Sequence, residues 1–341
     1  MSKRPVTSID VARRAGVSQS AVSRAFSEKA SISDETRTRV LDAAAALNYR
    51  PNRIPSIMLS GRSGMIGVVV GGLSNPFYAG ALVHLTTSLR KAGLQVMLVH
   101  IDDALMLDAA LDQLAAYRVD AIITALAVGT RETAKALNDL AIPAICFNSG
   151  ITGPGISTIL SNNRASGARA ARVMAAAGVT RPLWLAGPPR NAASRERRRG
   201  FFDGFAALSG GARVTELQGD DTYDSGFSVI RDALARGLRP DGLFCSNDLM
   251  ACGALDALRD HADLSCPRDV VVIGYDNIPQ GAWNAYQLTT FDQRTDALVD
   301  AALAILAAVL GGTERASSHT RIIEATLVVR RSTERGAAPS P

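Results

Sequence analysis

Gln19, Ser20, Ser23 and Arg24 lie in the stretch "VARRAGVSQSAVSRAF", at spacings that place them on one face of a short helix. Their chemistry is recognition. A glutamine amide can bond an adenine edge bidentately, and an arginine can reach guanine or phosphate. Serines on the same face keep it low enough to enter a groove about 12 Å wide. Val22, Ala25 and Phe26 fall on the opposite face at i, i+3, i+4 and lock the helix to a core. Ala12, Gly16 and Val22 stand at offsets of four and six residues. This pattern supplies a small residue where two helices cross, a glycine that accepts positive φ in the turn, and an apolar lock. The spacing alone also fits an ordinary helical hairpin with a polar surface.

Residues 5–49 read as three short helices without a strand signal. Thr7 or Ser8 can cap the first, Ser18 the second and Ser33 the third, which carries Val40, Leu41, Ala44, Ala45 and Leu47. Net charge is +5, and its distribution is uneven. Residues 1–62 hold eleven Lys and Arg against five Asp and Glu, while the rest of the chain holds 26 against 27. A basic head on a neutral body points to a polyanionic partner for the head alone. "YRPNRIPSIMLSGRSG" follows as a linker, although "IPSIML" is too apolar for a purely solvated tether.

From Met65 onward the pattern changes. "MIGVVVGG", "LQVMLVH", "VDAIITAL" and "IPAICFN" are short apolar runs separated by amphipathic stretches near 77–92, 106–117 and 131–140. The alternation resumes with "RPLWLAGPP", "ARVTELQGD", "GLFCSND" and "VVVIGYD". A helix near 294–311 and the strands "TRIIEAT" and "LVVRRS" close the chain. This reads as an α/β fold of two lobes with parallel, doubly wound sheets, the last elements returning to complete them across a ligand cleft.

With 341 residues and 47% hydrophobic content, the chain can bury a sizeable core. No apolar run reaches the roughly 18 residues of a membrane span, and the basic N-terminus lacks the apolar region of a secretory signal, so a cytoplasmic location is expected. Cys146, Cys245, Cys252 and Cys266 form no C-x-x-C pair, and His84, His100, His261 and His319 are scattered. Ordinary packing and surface roles suit all eight. No phosphate-binding G-x-x-x-x-G-K-[ST] loop, G-x-S-x-G elbow or metal cluster is present, so neither an enzyme nor a cofactor is expected. A secreted solute-binding protein is opposed by the basic head.

The head segment from "VTSIDVARRAGVSQSAVSRAF" to "LNYRPN" resembles that of the lactose-repressor/galactose-repressor family of bacterial transcription regulators. "IGVVVGGLSNPFYAG", "RRRGFFDGF", "FCSNDLMACGAL", "VVIGYDNIP", "LTTFDQ" and "LVVRRST" resemble further family blocks in the family's order. The resemblance implies a helix-turn-helix head (1–50), a hinge (51–63) and a periplasmic-binding-protein-like body (64–341). Lobe 1 would take about 64–161 and 292–324, and lobe 2 about 162–291 and 325–335. It also implies a homodimer on double-stranded, pseudo-palindromic operator DNA, without membrane association. Gln19 and Ser20 would then read bases with Arg24 in support, while Thr7, Ser8, Ser18, Ser23, Ser27, Ser31 and Thr36 match backbone-contacting positions and caps. In the hinge, Asn52 or Arg53 would start a helix and Met58 would wedge into the minor groove. Pro55 stands where the family more often has alanine. A helix-interior proline costs about 3 kcal/mol, but in the first turn it loses no bond.

For the body, the resemblance implies a small polar effector such as a sugar or sugar acid. Phe77 and Tyr78 would wall the cleft, with Arg197, Asn247 and Asp276 binding and Asn162 at the crossing into the second lobe, where an aspartate is common. Asp221 departs from the pattern, standing where many members place an aromatic residue over the ligand. A carboxylate there favours a donor-rich or cationic ligand edge over a flat nucleobase. The chain is expected to be a ligand-controlled repressor. A regulator that needs its effector to bind DNA, or that activates, is the alternative. "GAAPSP" at the C-terminus shows no heptad to join dimers into a tetramer.

Overall fold

Thr7 opens the first helix by a reciprocal bond. Its hydroxyl caps the Asp10 amide, and the Asp10 carboxylate accepts from the Thr7 amide at 2.9 Å. The computed structural model describes residues 4, 6–26, 31–51, 62–101, 107–124, 131–140, 142–149, 153–189, 191–208, 213–261, 264–312 and 318–335. The chain divides into two units, Met1–Arg62 and Ser63–Pro341.

The first unit holds α1 (Ser8–Ala15), α2 (Gln19–Ala25) and α3 (Asp34–Ala46). Gly16 ends α1 at φ 66, and a Cβ there would meet nothing within 4 Å. Backbone conformation, rather than lack of room, therefore calls for glycine. Ser18 caps α2 and Ser33 caps α3, as the sequence predicts. Val11, Ala12, Val22, Ala25, Val40, Ala43 and Ala44 form the core, closed by the Phe26 and Tyr49 rings at 6.0 Å. With four alanines among those seven side chains, the helices can approach closely but bury little area.

The second unit begins with β1 (Met65–Val70), α4 (Pro76–Lys91), β2 (Gln95–His100), α5 (Leu107–Ala116), β3 (Ala121–Thr124), α6 (Arg131–Asp139), β4 (Ala144–Phe147) and β5 (Ile156–Ser161). It continues through α7 (Asn163–Ala176), β6 (Pro182–Ala186), α8 (Ala192–Leu208), β7 (Thr215–Gln218), α9 (Tyr223–Ala235), β8 (Gly242–Cys245), α10 (Asp248–Arg259) and β9 (Val271–Ile273). The last elements are β10 (Thr290–Asp292), α11 (Thr295–Gly311), β11 (Thr320–Ile323) and β12 (Thr326–Val328). One parallel sheet runs β11-β5-β4-β3-β1-β2, a second β7-β6-β8-β9, and β10 pairs antiparallel with β12. Each parallel sheet carries a buried apolar cluster on both faces, which is why its strands read as continuous apolar runs.

The strand β5 is absent from the sequence reading. Its Ser157, Thr158 and Ser161 interrupt the apolar run, yet each is at most 3% exposed. Their hydroxyls survive burial by bonding. Ser157 accepts from the His319 amide at 3.2 Å, and Ser161 shares a bond of 2.7 Å with the Tyr275 hydroxyl. The chain leaves the first parallel sheet after β5, returns to it at β11 after passing through β10, and leaves it again for β12, which pairs with β10.

The helices α7 and α8 cross backbone against backbone. A Cβ on Gly167 would lie 2.1 Å from the Arg197 carbonyl oxygen, and one on Gly200 would lie 1.9 Å from that of Arg164. No side-chain rotation relieves such contacts. Gly167→Ala is expected to lower stability by about 1–3 kcal/mol, as overpacking does, and to weaken ligand binding at Arg197. Thermal melting and calorimetry of the variant check both.

Candidate nucleic-acid interface and ligand cleft

On the head, Gln19, Ser20, Ser23 and Arg24 are all exposed along α2, while Ala21, Val22 and Ala25 face the core. Gln19 is not free to spin. Its Nε2 donates to the Ser8 hydroxyl at 2.9 Å, leaving Oε1 and the second N–H for other partners on this exposed residue. That fixes which side of the amide donates and which accepts, the ordering that a bidentate adenine contact needs. Ser18 and Ser20 share a hydroxyl bond of 2.9 Å. Thr7 is committed to Asp10, which its bonds hold below the usual carboxylate range, and Thr36 bonds Ser33 at 2.8 Å. Ser31 is exposed. Ser27, Asn52, Arg53 and Met58, with Pro55 and the expected hinge helix, lie outside the described residues.

In the body, the chain crossings bring polar side chains from both sheets together. Asp276 follows β9 at φ 120 and is 8% exposed. Its Oδ2 accepts from Asn75 Nδ2 at 3.1 Å, and its Oδ1 accepts from Gln293 Nε2 at 2.7 Å. Asn75 caps α4, so the bond ties the β1 sheet's first helix to the β9 loop. Gln293 in turn accepts from Asn148 Nδ2 at 2.8 Å, completing a relay across the cleft. Burial pushes the Asp276 carboxyl up to about 7, with nearby Arg197 opposing and Asp248 adding to the shift. Asp248 lies fully buried below, accepting from Thr290 Oγ1 and the Ile278 amide, and burial pushes it up to about 6.

Arg197 comes from α8 and is 5% exposed. Its guanidinium lies 4.0 Å above the Tyr275 ring, which stacks on Phe291 at 5.5 Å. Its Nε and Nη1 have no partner in the protein. Asp221 holds φ 70, and its Oδ2 accepts from Asn191 at 3.1 Å while the buried Oδ1 has no partner. Burial raises its carboxyl, with Arg197 pulling the other way. Tyr78 lies near this group: burial raises its phenol, Asp276 and Asp221 add to the rise, and Arg197 opposes it. The trio of Arg197, Asp221 and Asp276 is thus assembled, with Tyr78 at its side.

Other expected residues take different places. Phe77 lines an apolar recess with Val68, Leu85, Phe147 and Leu298, its ring 5.3 Å from that of Tyr78. Asn247 caps α10 and donates Nδ2 to the Asp221 carbonyl, so it shapes the loop that carries Asp221. Asn162 caps α7 and donates to Glu324 at 2.6 Å, and neither bond leads to Arg197 or Asp276. Asn75, Asn148, Asn191 and Gln293 escaped the sequence reading. Three of them stand within or beside quoted motifs, "SNPFY", "CFN" and "FDQ", which offered the one available signal.

The buried carboxylates set a pH dependence. A folded-state value raised to about 7 means the folded chain keeps a proton that the unfolded chain releases near 4. Stability is therefore greatest at low pH within this window and is lost as pH rises from about 4 to 7. In Asp276→Asn, melting temperature should fall less between pH 6 and 7 than in the unmodified protein, because Asp276 loses its proton in that interval and Asp248 mostly below it. Melting curves between pH 5 and 8 test this.

Residues 9–52 match the family model of bacterial regulatory proteins, lacI family, and residues 171–333 match the periplasmic binding protein-like domain. The chain is 28% identical over 329 residues to an HTH-type transcriptional repressor PurR of Mannheimia succiniciproducens, covering 96% of this chain and 98% of that one. It is 28% identical over 303 residues to the ribose operon repressor of Escherichia coli K12, covering 87% and 91%. Among solved structures, the lac repressor dimer bound to operator and the anti-inducer ONPF aligns with a TM-score of 0.88 at 25% identity, covering 97% and 99%. The transcriptional regulator CelR in complex with cellobiose aligns with a TM-score of 0.71 at 28% identity, covering 96% and 100%.

Proposed function

We propose that this chain, which matches the lacI-family model over residues 9–52, is a ligand-responsive repressor of that kind controlled through its interlobe cleft. The observation that carries the reading is the pairing of two features on one chain. One is an exposed, capped helix presenting an oriented Gln19. The other is a cleft where Arg197 and Asp221 keep buried polar atoms without partners. Buried polar groups lacking partners cost about 1–3 kcal/mol each, so a ligand that satisfies them gains that difference on binding.

In this reading a homodimer sets two heads on a pseudo-palindromic operator, and the similar lac repressor is a dimer bound to operator. Gln19 and Ser20 read base edges, with Arg24 beside them, and the short hydroxyls fix register on phosphates. A small polar effector, of sugar type, enters between the sheets. Its hydroxyls compete for Asp276 against Asn75, and so change the geometry of the two lobes. Through residues 51–63 that change lowers operator affinity. The protein acts in the cytoplasm, on the nucleoid when DNA-bound, and performs no catalysis.

Binding of the full-length protein to its own upstream DNA, followed by fluorescence anisotropy, tests this. Affinity should fall steeply with salt, because neutralising phosphates releases counterions. Exchanging Gln19 and Ser20 should change base preference by about 1–3 kcal/mol at one operator position and leave effector affinity unchanged. Ser8→Ala should blunt that same preference without changing the salt slope. Salt-insensitive binding, or preference untouched by the exchange, would sink the proposal.

A further inference from the structure

We propose that the cleft selects a small polyol bearing a protonated amine, and that Asp221 is the residue that selects it. This rests on the reading of the cleft as the effector site. The trio of Arg197, Asp221 and Asp276 has two carboxyls against one guanidinium, so it carries one negative charge when both carboxyls are ionised. Asp276 is already met by two amide donors, from Asn75 and Gln293. Asp221 is not. Its Oδ2 has Asn191, and its Oδ1 is buried with nothing to accept from. The neighbouring Ser246 hydroxyl, which helps hold the Asp221 carboxyl down, is shared with Ser194 Oγ at 3.0 Å and brings no charge.

The surrounding chain keeps this carboxylate in place. Asp221 sits at φ 70, in the left-handed region that aspartate enters more readily than most residues. Asn247 pins its carbonyl at 2.8 Å. A Cβ at Gly187 would lie 2.1 Å from Asp221 Oδ1, so the opposite loop leaves space for the carboxylate itself. A pinned and under-bonded carboxylate calls for a donor carrying charge. A hydroxyl would fill the hydrogen bond but leave the negative excess buried, and a ligand carboxylate would deepen it. An ammonium satisfies both needs. The polyol hydroxyls then offer acceptors to Arg197 Nε and Nη1, which have none in the protein. This narrows the effector class by setting sugar acids aside.

The test uses the full-length protein and matched probes in the gluco, galacto and manno series: the neutral hexose, its 2-amino-2-deoxy form and its aldonate. Thermal shift and calorimetry at pH 7.5 give the affinities. At least one aminated sugar should bind about tenfold or more tightly than its neutral partner, the margin of one charge-assisted bond. In Asp221→Asn, a near-isosteric change, the ratio of aminated-sugar to neutral-sugar affinity should fall to about one, whatever the change in either affinity alone. The proposal is overturned if no aminated probe binds, if neutral or acidic forms bind as tightly, or if the preference survives in Asp221→Asn. Neutral-hexose binding that is lost in Arg197→Gln would uphold the effector cleft while rejecting the amine.

Discussion

The body is organised around a carboxylate taken out of water. Asp276 has its charge in a place where burial opposes ionisation, and the fold answers with donors drawn from two different sheets' worth of chain. Asn75 reaches it from the cap of α4 and Gln293 from the segment leading into α11, with Asn148 behind Gln293. Remove that carboxylate and these amides lose the acceptor that orders them. The bond from Asn75 also spans the cleft, so this carboxylate holds the lobes in register. Under the proposed function, ligand and protein donors compete for the same oxygen atoms, and such competition lets a molecule with modest affinity alter a large structure, because it replaces bonds instead of merely adding them.

Arg197 depends on the same economy of burial. A guanidinium at 5% exposure needs a face to lie on and acceptors for its edges. Tyr275 supplies the face, backed by Phe291, and the Tyr275 hydroxyl is anchored to Ser161 at the end of β5. The edges stay open. Held by stacking from one side, the group has a fixed plane and unsatisfied donors, a preorganised binder.

Much of this was legible in the sequence, unevenly so. The head was clear because caps and turns are local physics: Ser18, Ser33 and Gly16 act within a few residues of themselves. Arg197, Asp221 and Asp276 were reached through family likeness, and the structure gathers them with Tyr78. Asn162 was placed among them by the same route, yet its amide is spent on a helix cap and on Glu324. Asn75, Asn148 and Gln293 were missed because their partners stand 201, 145 and 17 residues away, which no periodicity encodes. The strand β5 was hidden for a related reason. Its serines and threonine look solvent-facing until the tertiary partners of their hydroxyls are known.

The crossing of α7 and α8 carries one more consequence. Where helices touch through side chains, small motions dissipate as rotamers adjust. Here carbonyls and amides meet with no intervening side chain at Gly167 and Gly200, so the pair moves as a single beam. Arg197 lies within that contact, and the beam's other member, α7, begins at Asn163, two residues after β5 ends. Any ligand that pulls on the guanidinium therefore pulls, with little slack, on the strand by which the chain first leaves its opening sheet. The glycines that make the packing tight also make the site stiff, and the signal leaves it through backbone.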